Sequence, residues 1–199
     1  MVISWCVFPW TEQLSSKCSF KSQKQIETYI LKNSNPGDLV VISNRYITNS
    51  DRFRSDLQSY DWLNSESSIA SINQFSASAH LKGISTILFL PTIDFEISPQ
   101  LCLPQWYRPR PLLSDSCFKS KSLFDMRIYN ALKDLDTNII LFDPNDSICV
   151  NNVCSVTDSS NGLLYSDTHH LSAYSNVNYI YPDLIKFLYK NNLLGSNSL

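Results

Sequence analysis

The sequence predicts an α/β domain built on a doubly wound parallel sheet with helices on both faces. Short apolar runs of strand length alternate with segments whose apolar residues recur at helical spacing. The chain has 199 residues, of which 43% are hydrophobic. That length suits one domain with a substantial core. We therefore expect a single domain over residues 1–199.

The first predicted elements alternate from the start of the chain. Residues 2–8 have the composition of a strand, and residues 23–32 form a short amphipathic helix with Ile26, Tyr29 and Ile30 on its apolar face. The turn-forming run Asn-Pro-Gly-Asp at 35–38 ends this helix. The continuous apolar run at 39–42 is then expected to be a strand buried on both faces of the sheet.

The later elements continue the alternation. Gly83 is the expected C′ residue of one helix, and Ser172 is the expected N-cap of the last helix. The remaining predicted elements are a helix at 65–82, a strand at 85–90, a helix at 121–135, a strand at 138–142 and a helix at 173–191. In such sheets, ligands bind outside the carboxyl ends of the strands.

Charge and glycine content exclude several functions. The formal net charge is -2, and no cluster of Lys and Arg could track a phosphate backbone, so we expect no nucleic-acid partner. No window approaches the roughly 18 uncharged apolar residues of a spanning helix. The chain has 4 glycines and no Gly-rich phosphate loop. We therefore expect no nucleotide cofactor and, indeed, no cofactor of any kind.

The cysteines form three sequence-local pairs. In an exported protein they would form three disulfides, although six cysteines allow 15 connectivities. In a cytosolic chain they would more often serve metal binding or catalysis, or remain reduced thiols. The N-terminus has no signal-peptide pattern. The chain is therefore either cytosolic or the tail of a longer, exported protein, and we favour the second. The expected pairs are Cys6–Cys18, Cys102–Cys117 and Cys149–Cys154.

Asp167 and His170 are the candidate catalytic pair. In a helical turn, residues three apart face the same side. The carboxylate could then accept from Nδ1–H of the imidazole and leave Nε2 as a general base for a serine nucleophile. The alternative is that Asp167 simply caps a turn.

The remaining histidines and the last two cysteines do not have the spacing of a metal site. Cys149 and Cys154 lack zinc-ligand spacing, and the adjacent His169 and His170 are not expected to point together, so we predict no metal ligands. His80 lies at the end of a predicted helix, where an imidazole interacts favourably with the helix dipole.

Several sequence blocks together resemble a known family. The run LYSDTHHLS, followed by an apolar helix containing YPDLIKFL, resembles the last block of SGNH hydrolases. The resemblance is closest to the extracytoplasmic SGNH domain at the carboxyl end of acyltransferase 3 membrane proteins. Further blocks occur in the same order over nearly the whole chain: CVFPW to KC, PGDLVVISNRY, LFLPTIDF, CLPQWYRPRPLLSDSC and ILFDPNDSICVNNVC.

The resemblance implies a three-layer α/β/α, flavodoxin-like SGNH-hydrolase fold with a parallel sheet. It implies that His170 is the catalytic base, that Asp167 is the acidic member of the triad, and that Asn44 contributes to the oxyanion hole. A strand-end turn residue is the alternative role for Asn44. The family's Gly-Asp-Ser nucleophile block is absent, since Gly37-Asp38 is followed by Leu39. We therefore expect an N-terminally truncated domain without its first strand.

For function, the resemblance implies an O-acyltransferase or esterase that acts on acyl groups of cell-surface glycans through a Ser-His-Asp mechanism. This chain alone would then be inactive. It also implies an acyl-ester or glycan substrate, an upstream membrane acyltransferase domain as partner, and a periplasmic or cell-envelope location. The first alternative is a non-catalytic module that binds a glycan or a partner protein, and the second is a cytosolic α/β protein with free thiols.

Overall fold

A computed structural model describes residues 20–43, 66–104, 107, 115–122 and 132–194. It contains two compact units, one formed by Met1–Pro91 with Ile128–Phe142 and the other by Thr92–Arg127 with Asp143–Leu199. Several predictions fall outside the described residues. They are the strand at 2–8, Asn44, the Cys6–Cys18 pair and most of the helix at 121–135.

The helices and strands alternate through most of the chain. Their bounds, in chain order, are α1 (Phe20–Asn33), β1 (Leu39–Ser43), α2 (Glu66–His80), β2 (Ser85–Phe89), β3 (Phe118–Ser120), β4 (Ile139–Phe142), α3 (Asn145–Ile148), β5 (Val153–Ser155), α4 (Ala173–Ser175) and α5 (Tyr181–Lys190). A π-helical turn at Asn176–Ile180 joins α4 to α5. Strands β3 and β5 and helix α3 were not predicted, because segments of three or four residues are too short to show a periodicity.

The first unit contains a parallel sheet in the order β1-β2-β4. The central strand is the most buried, and Ile87 and Leu88 are fully inaccessible to solvent. Its register places Val41 beside Ile87, and Ile87 beside Ile140. The prediction of burial on both faces was wrong for β1, since Val41 is 50% exposed. The strand with buried residues on both faces is the central one, β2.

Helix α2 packs in this unit through residues at helical spacing: Ile69, Ile72, Phe75 and Ala79 are all buried. Gly83 ends the segment with a φ of 72°, a left-handed conformation that glycine adopts without strain, as predicted. Its carbonyl accepts a 2.8 Å hydrogen bond from the N–H of Gly37. The turn before β1 is thereby joined to the turn before β2.

The second unit contains an antiparallel pair, β3 with β5, and both described disulfides. Cys102 is bonded to Cys117, and Cys149 is bonded to Cys154, which confirms two of the three predicted pairs. The second disulfide encloses a tight turn in which Asn151 and Asn152 both have positive φ. Asparagine tolerates this conformation better than most residues, so the turn suits the sequence CVNNVC.

Asp158 fixes the start of the final helical segment to the loop before it. Its Oδ2 accepts hydrogen bonds from the hydroxyls of Tyr174, at 2.5 Å, and Tyr179, at 2.8 Å. Its Oδ1 accepts from the N–H groups of Ser160 and Gly162. Tyr174 donates the bond that lowers the pKa of Asp158 most, to about 2, and the other three donors add to it against the opposing effect of desolvation.

Within the described part of the chain, no helix combines the length and the apolar character that crossing a membrane requires.

We predict that the two disulfides differ in their contribution to stability. The Cys102–Cys117 bond closes a separation of 15 residues and the Cys149–Cys154 bond one of 5 residues. In the chain-entropy model, their removal lowers the free energy of unfolding by about 3 and about 2 kcal/mol, respectively. Urea denaturation of the paired Cys→Ala variants measures both values, and a larger loss for C149A/C154A would contradict the prediction.

We also predict that Asp158→Asn lowers the free energy of unfolding by about 1–2 kcal/mol at pH 7, because an amide replaces a charged acceptor. The pKa of Asp158 is about 2 in the folded chain, below the roughly 3.9 of an unfolded aspartate. Its contribution is therefore present above about pH 4 and lost as the pH falls towards 2.

Urea denaturation at pH 7 and at pH 2.5 tests this prediction, and the difference between variant and parent should shrink at the lower pH. Asp183→Asn is the matched control, because Asp183 forms an exposed i,i+3 ion pair with Lys186 that should contribute little. An equal loss for the two variants, or a difference that does not change with pH, would refute the role given to Asp158.

Candidate active site

The candidate residues lie on a short loop of the second unit, closed at its base by backbone pairing. Tyr165 pairs with Leu171 in an isolated antiparallel bridge. The carbonyl of His170 accepts hydrogen bonds from the N–H and the hydroxyl of Ser166, at 2.8 and 3.2 Å. Tyr165 is fully buried, and its ring meets Phe95 edge-on with centroids 4.9 Å apart. The base of the loop is therefore fixed by both hydrogen bonds and burial.

The tip of the loop is held by a separate segment at 92–95. The N–H of Phe95 donates to the carbonyl of Thr168 at 2.6 Å, and the hydroxyl of Thr92 donates to the carbonyl of His169 at 3.0 Å. The N–H of Ile93 in turn donates to Oδ1 of the fully buried Asn145 at 3.1 Å. These bonds fix the backbone on both sides of His169.

The segment at 143–146 supports Asn145 through charge and hydrogen bonding. Oδ1 of Asp143 accepts from both the backbone N–H and the side-chain amide of Asn145, each at 2.8 Å. Nζ of Lys121 lies 2.9 Å from Oδ2 of Asp143 and 3.1 Å from Oδ1 of Asp146. Lys121 is only 8% exposed, and these two carboxylates compensate the cost of burying its charge.

Asp167 has two functions within the loop. Its Oδ1 accepts from the backbone N–H groups of His169, at 2.9 Å, and His170, at 2.8 Å. Its Oδ2 lies 2.6 Å from Nδ1 of His170. Turn capping and pairing with His170 were alternative predictions for Asp167, and the structure shows both contacts. The segment is a bridged loop, where a helical turn was predicted, so the capping bonds are what bring the two side chains together.

These contacts set the charge of the carboxyl group. Desolvation has the largest single effect on the pKa of Asp167 and raises it. The N–H of His169, the ring of His170 and the N–H of His170 together outweigh it, and the pKa falls to about 2. Asp167 is therefore an anion at neutral pH and favours a proton on the Nδ1 that faces it.

The two histidines differ in exposure. The side chain of His170 is 66% exposed and that of His169 is 22% exposed, and their ring centroids lie 3.9 Å apart. Nδ1 of His169 lies 3.1 Å from the hydroxyl of Thr168 and 3.5 Å from Oδ1 of Asp167. His170 thus has a fixed Nδ1 and a ring accessible to a reactant, as a general base requires.

Sequence reasoning did not identify the residues that hold this loop. The hydroxyl of Thr92 and the N–H of Phe95 donate to backbone carbonyls more than 70 positions later. No local spacing indicates such a pairing. The block LFLPTIDF, already noted for its family resemblance, contains both of them. Asn44, the predicted oxyanion-hole residue, lies outside the described residues.

Comparison with known proteins identifies the family. The family model described as "SGNH domain (fused to AT3 domains)" matches residues 1–177. The chain therefore belongs to the SGNH domain family whose members are fused to AT3 domains. That membership implies an α/β hydrolase-like fold, and the parallel sheet with its helices is consistent with the predicted three-layer α/β/α arrangement. Searches of curated proteins and of solved structures found no match.

We predict that Asp167 titrates at about 2 and that His170→Ala raises its pKa, because one of the bonds to the ionised form is lost. The N–H donors remain, so the pKa should stay below the usual value of about 3.9. Carboxyl-carbon NMR measures the titration. His80→Ala, outside the loop, is the control and should change nothing. A titration of Asp167 that His170→Ala leaves unmoved would mean that the two side chains do not interact.

Proposed function

We propose that this chain provides the acid–base half of an SGNH acyltransferase or esterase site that acts on O-acyl groups of cell-surface glycans. The observation that carries the proposal is the 2.6 Å contact between Oδ2 of Asp167 and Nδ1 of an exposed His170. Family membership supports a hydrolase or acyltransferase type of domain.

The proposed chemistry follows from the two nitrogens of His170. With its proton held at Nδ1 by Asp167, the neutral ring has its lone pair at Nε2. Nε2 takes the proton of a serine hydroxyl as that oxygen attacks the acyl carbonyl, and later returns it to the leaving alcohol. Asp167 keeps its negative charge throughout and stabilises the imidazolium formed in between.

The nucleophile is the part of the mechanism that this chain does not contain in the family's Gly-Asp-Ser form. We propose that a segment encoded next to it supplies that serine, and that Asn44 contributes an amide donor to the oxyanion hole. The fusion of family members to AT3 domains supports an upstream membrane acyltransferase domain as the partner. The described disulfides support an extracytoplasmic location, where such bonds persist.

The test is an acetyl-ester hydrolysis assay on two proteins: this chain, and the chain extended by an upstream segment that carries Gly-Asp-Ser. The chain as given should show at most weak activity, and the extension should raise the rate by several orders of magnitude. In the extended protein, His170→Ala should lower kcat by about 10³-fold or more, since triad members act as a unit. Asp167→Asn should cost nearly as much.

His80→Ala is the matched control, because His80 is the one histidine of the three in the sequence that lies outside the loop, and it ends α2. It should retain full activity. An extended protein that hydrolyses esters equally well with and without His170 would refute the assignment. A folded extended protein that binds glycan but hydrolyses no ester would favour the non-catalytic binding module instead.

A further inference from the structure

The loop that carries the proposed base also places three potential metal ligands together. Asp167, His169 and His170 each offer one ligand atom, and these atoms all lie within 4.8 Å of one another. We propose that they bind a divalent transition-metal ion of the zinc type. The binding itself does not depend on the proposed function, whereas its effect on the general base does.

One of the ligand-atom distances already fits a tetrahedral ion, and a second needs the ring of His170 to turn. When zinc binds nitrogen and oxygen at its usual lengths, neighbouring ligand atoms lie about 3.4 Å apart. Oδ1 of Asp167 and Nδ1 of His169 are 3.5 Å apart. Nδ1 of His170 lies closer, 2.6 Å from Oδ2 of Asp167, but the exposed ring has room to turn. Three protein ligands on an exposed loop leave the fourth position to water.

The donor set selects the class of ion. Two imidazoles and one carboxylate suit zinc, copper or nickel, whereas calcium and magnesium prefer oxygen ligands alone. From the sequence, the candidate partners of these histidines were Cys149 and Cys154, which lack zinc-ligand spacing. Those two cysteines form a disulfide and offer no thiolate. Asp167 takes their place as the third ligand.

The backbone around the cluster is already fixed, which lowers the entropy that binding must offset. Thr92 and Phe95 hold the carbonyls of His169 and Thr168, and Oδ1 of Asp167 is held by two N–H groups. To bind one ion, the two imidazoles must rotate and exchange their present hydrogen bonds for the metal, while the backbone that carries them stays in place.

Metal binding and base function exclude each other at His170. If Nδ1 binds the ion, the single proton of the neutral ring moves through solvent from Nδ1 to Nε2, and Nε2 loses its free lone pair. If Nε2 binds the ion, the metal occupies that lone pair directly. In both cases no nitrogen of His170 is left to accept a proton from a serine. A bound ion would therefore inhibit the proposed reaction.

The experiment is a zinc titration of the purified chain in competition with a chromogenic chelating dye. The parent chain should bind one zinc ion. His169→Gln and His170→Gln should each weaken binding by about tenfold or more, since even the loss of a supporting contact costs that much. His80→Gln, at the exposed end of α2, is the matched control and should bind as the parent does. Thermal unfolding should show that zinc raises the Tm of the parent and of the control alone.

Two results would overturn the inference: a folded parent chain that takes no zinc from the dye, or binding that both His169→Gln and His170→Gln leave unchanged. Because the readout is binding to this chain, it is independent of esterase activity. An extended protein that is inactive but whose chain binds zinc through these histidines supports the metal site and refutes the proposed function. An extended protein that is active, but whose chain binds no zinc, supports the proposed function and refutes the metal site.

Discussion

The candidate site depends on the hydrogen bonds of the Asp167 carboxylate. Its Oδ1 accepts hydrogen bonds from two backbone N–H groups and so shapes the loop, while its Oδ2 faces Nδ1 of His170. The same bonds that shape the loop keep the group ionised, because they favour the anion over the acid. The contacts that shape the loop therefore also hold the ionised carboxylate against the imidazole of His170. A substitution that disturbs the loop also disturbs the contact between Asp167 and His170.

The rest of the second unit makes this arrangement rigid. The segment at 92–95 bonds the loop on one side and Asn145 on the other, and Asn145 is fixed by Asp143, which pairs with the buried Lys121. Polar groups that are buried and fully bonded define a geometry more strictly than apolar packing does. Ser172 then begins the final helical segment, with its hydroxyl accepting from the N–H of Ser175 at 3.0 Å. The exposed imidazole is thus carried by a backbone that has little freedom to move.

The sequence was sufficient for the features that depend on local chemistry. The structure confirms the two predicted helix ends, Gly83 after α2 and Ser172 before α4. It also confirms that the predicted apolar runs form β1, β2 and β4. Each of these features depends on residues that are neighbours in the sequence. The Asp167–His170 contact also followed from spacing, although a bridged loop produces it in place of a helical turn. What could not be predicted depends on distant pairing. Strands β3 and β5 are three residues each, and Thr92 meets His169 only through the fold.

The most direct test of this account is the tautomer of His170, read from a long-range ¹H–¹⁵N NMR spectrum of the chain labelled at the imidazole nitrogens. We expect neutral His170 to carry its proton at Nδ1. Asp167→Ala should shift the population towards the Nε2–H form that free imidazoles favour. His80, remote in the sequence from the loop, serves as the internal reference in the same spectrum. A His170 that already carries its proton at Nε2 in the parent chain would contradict the central claim.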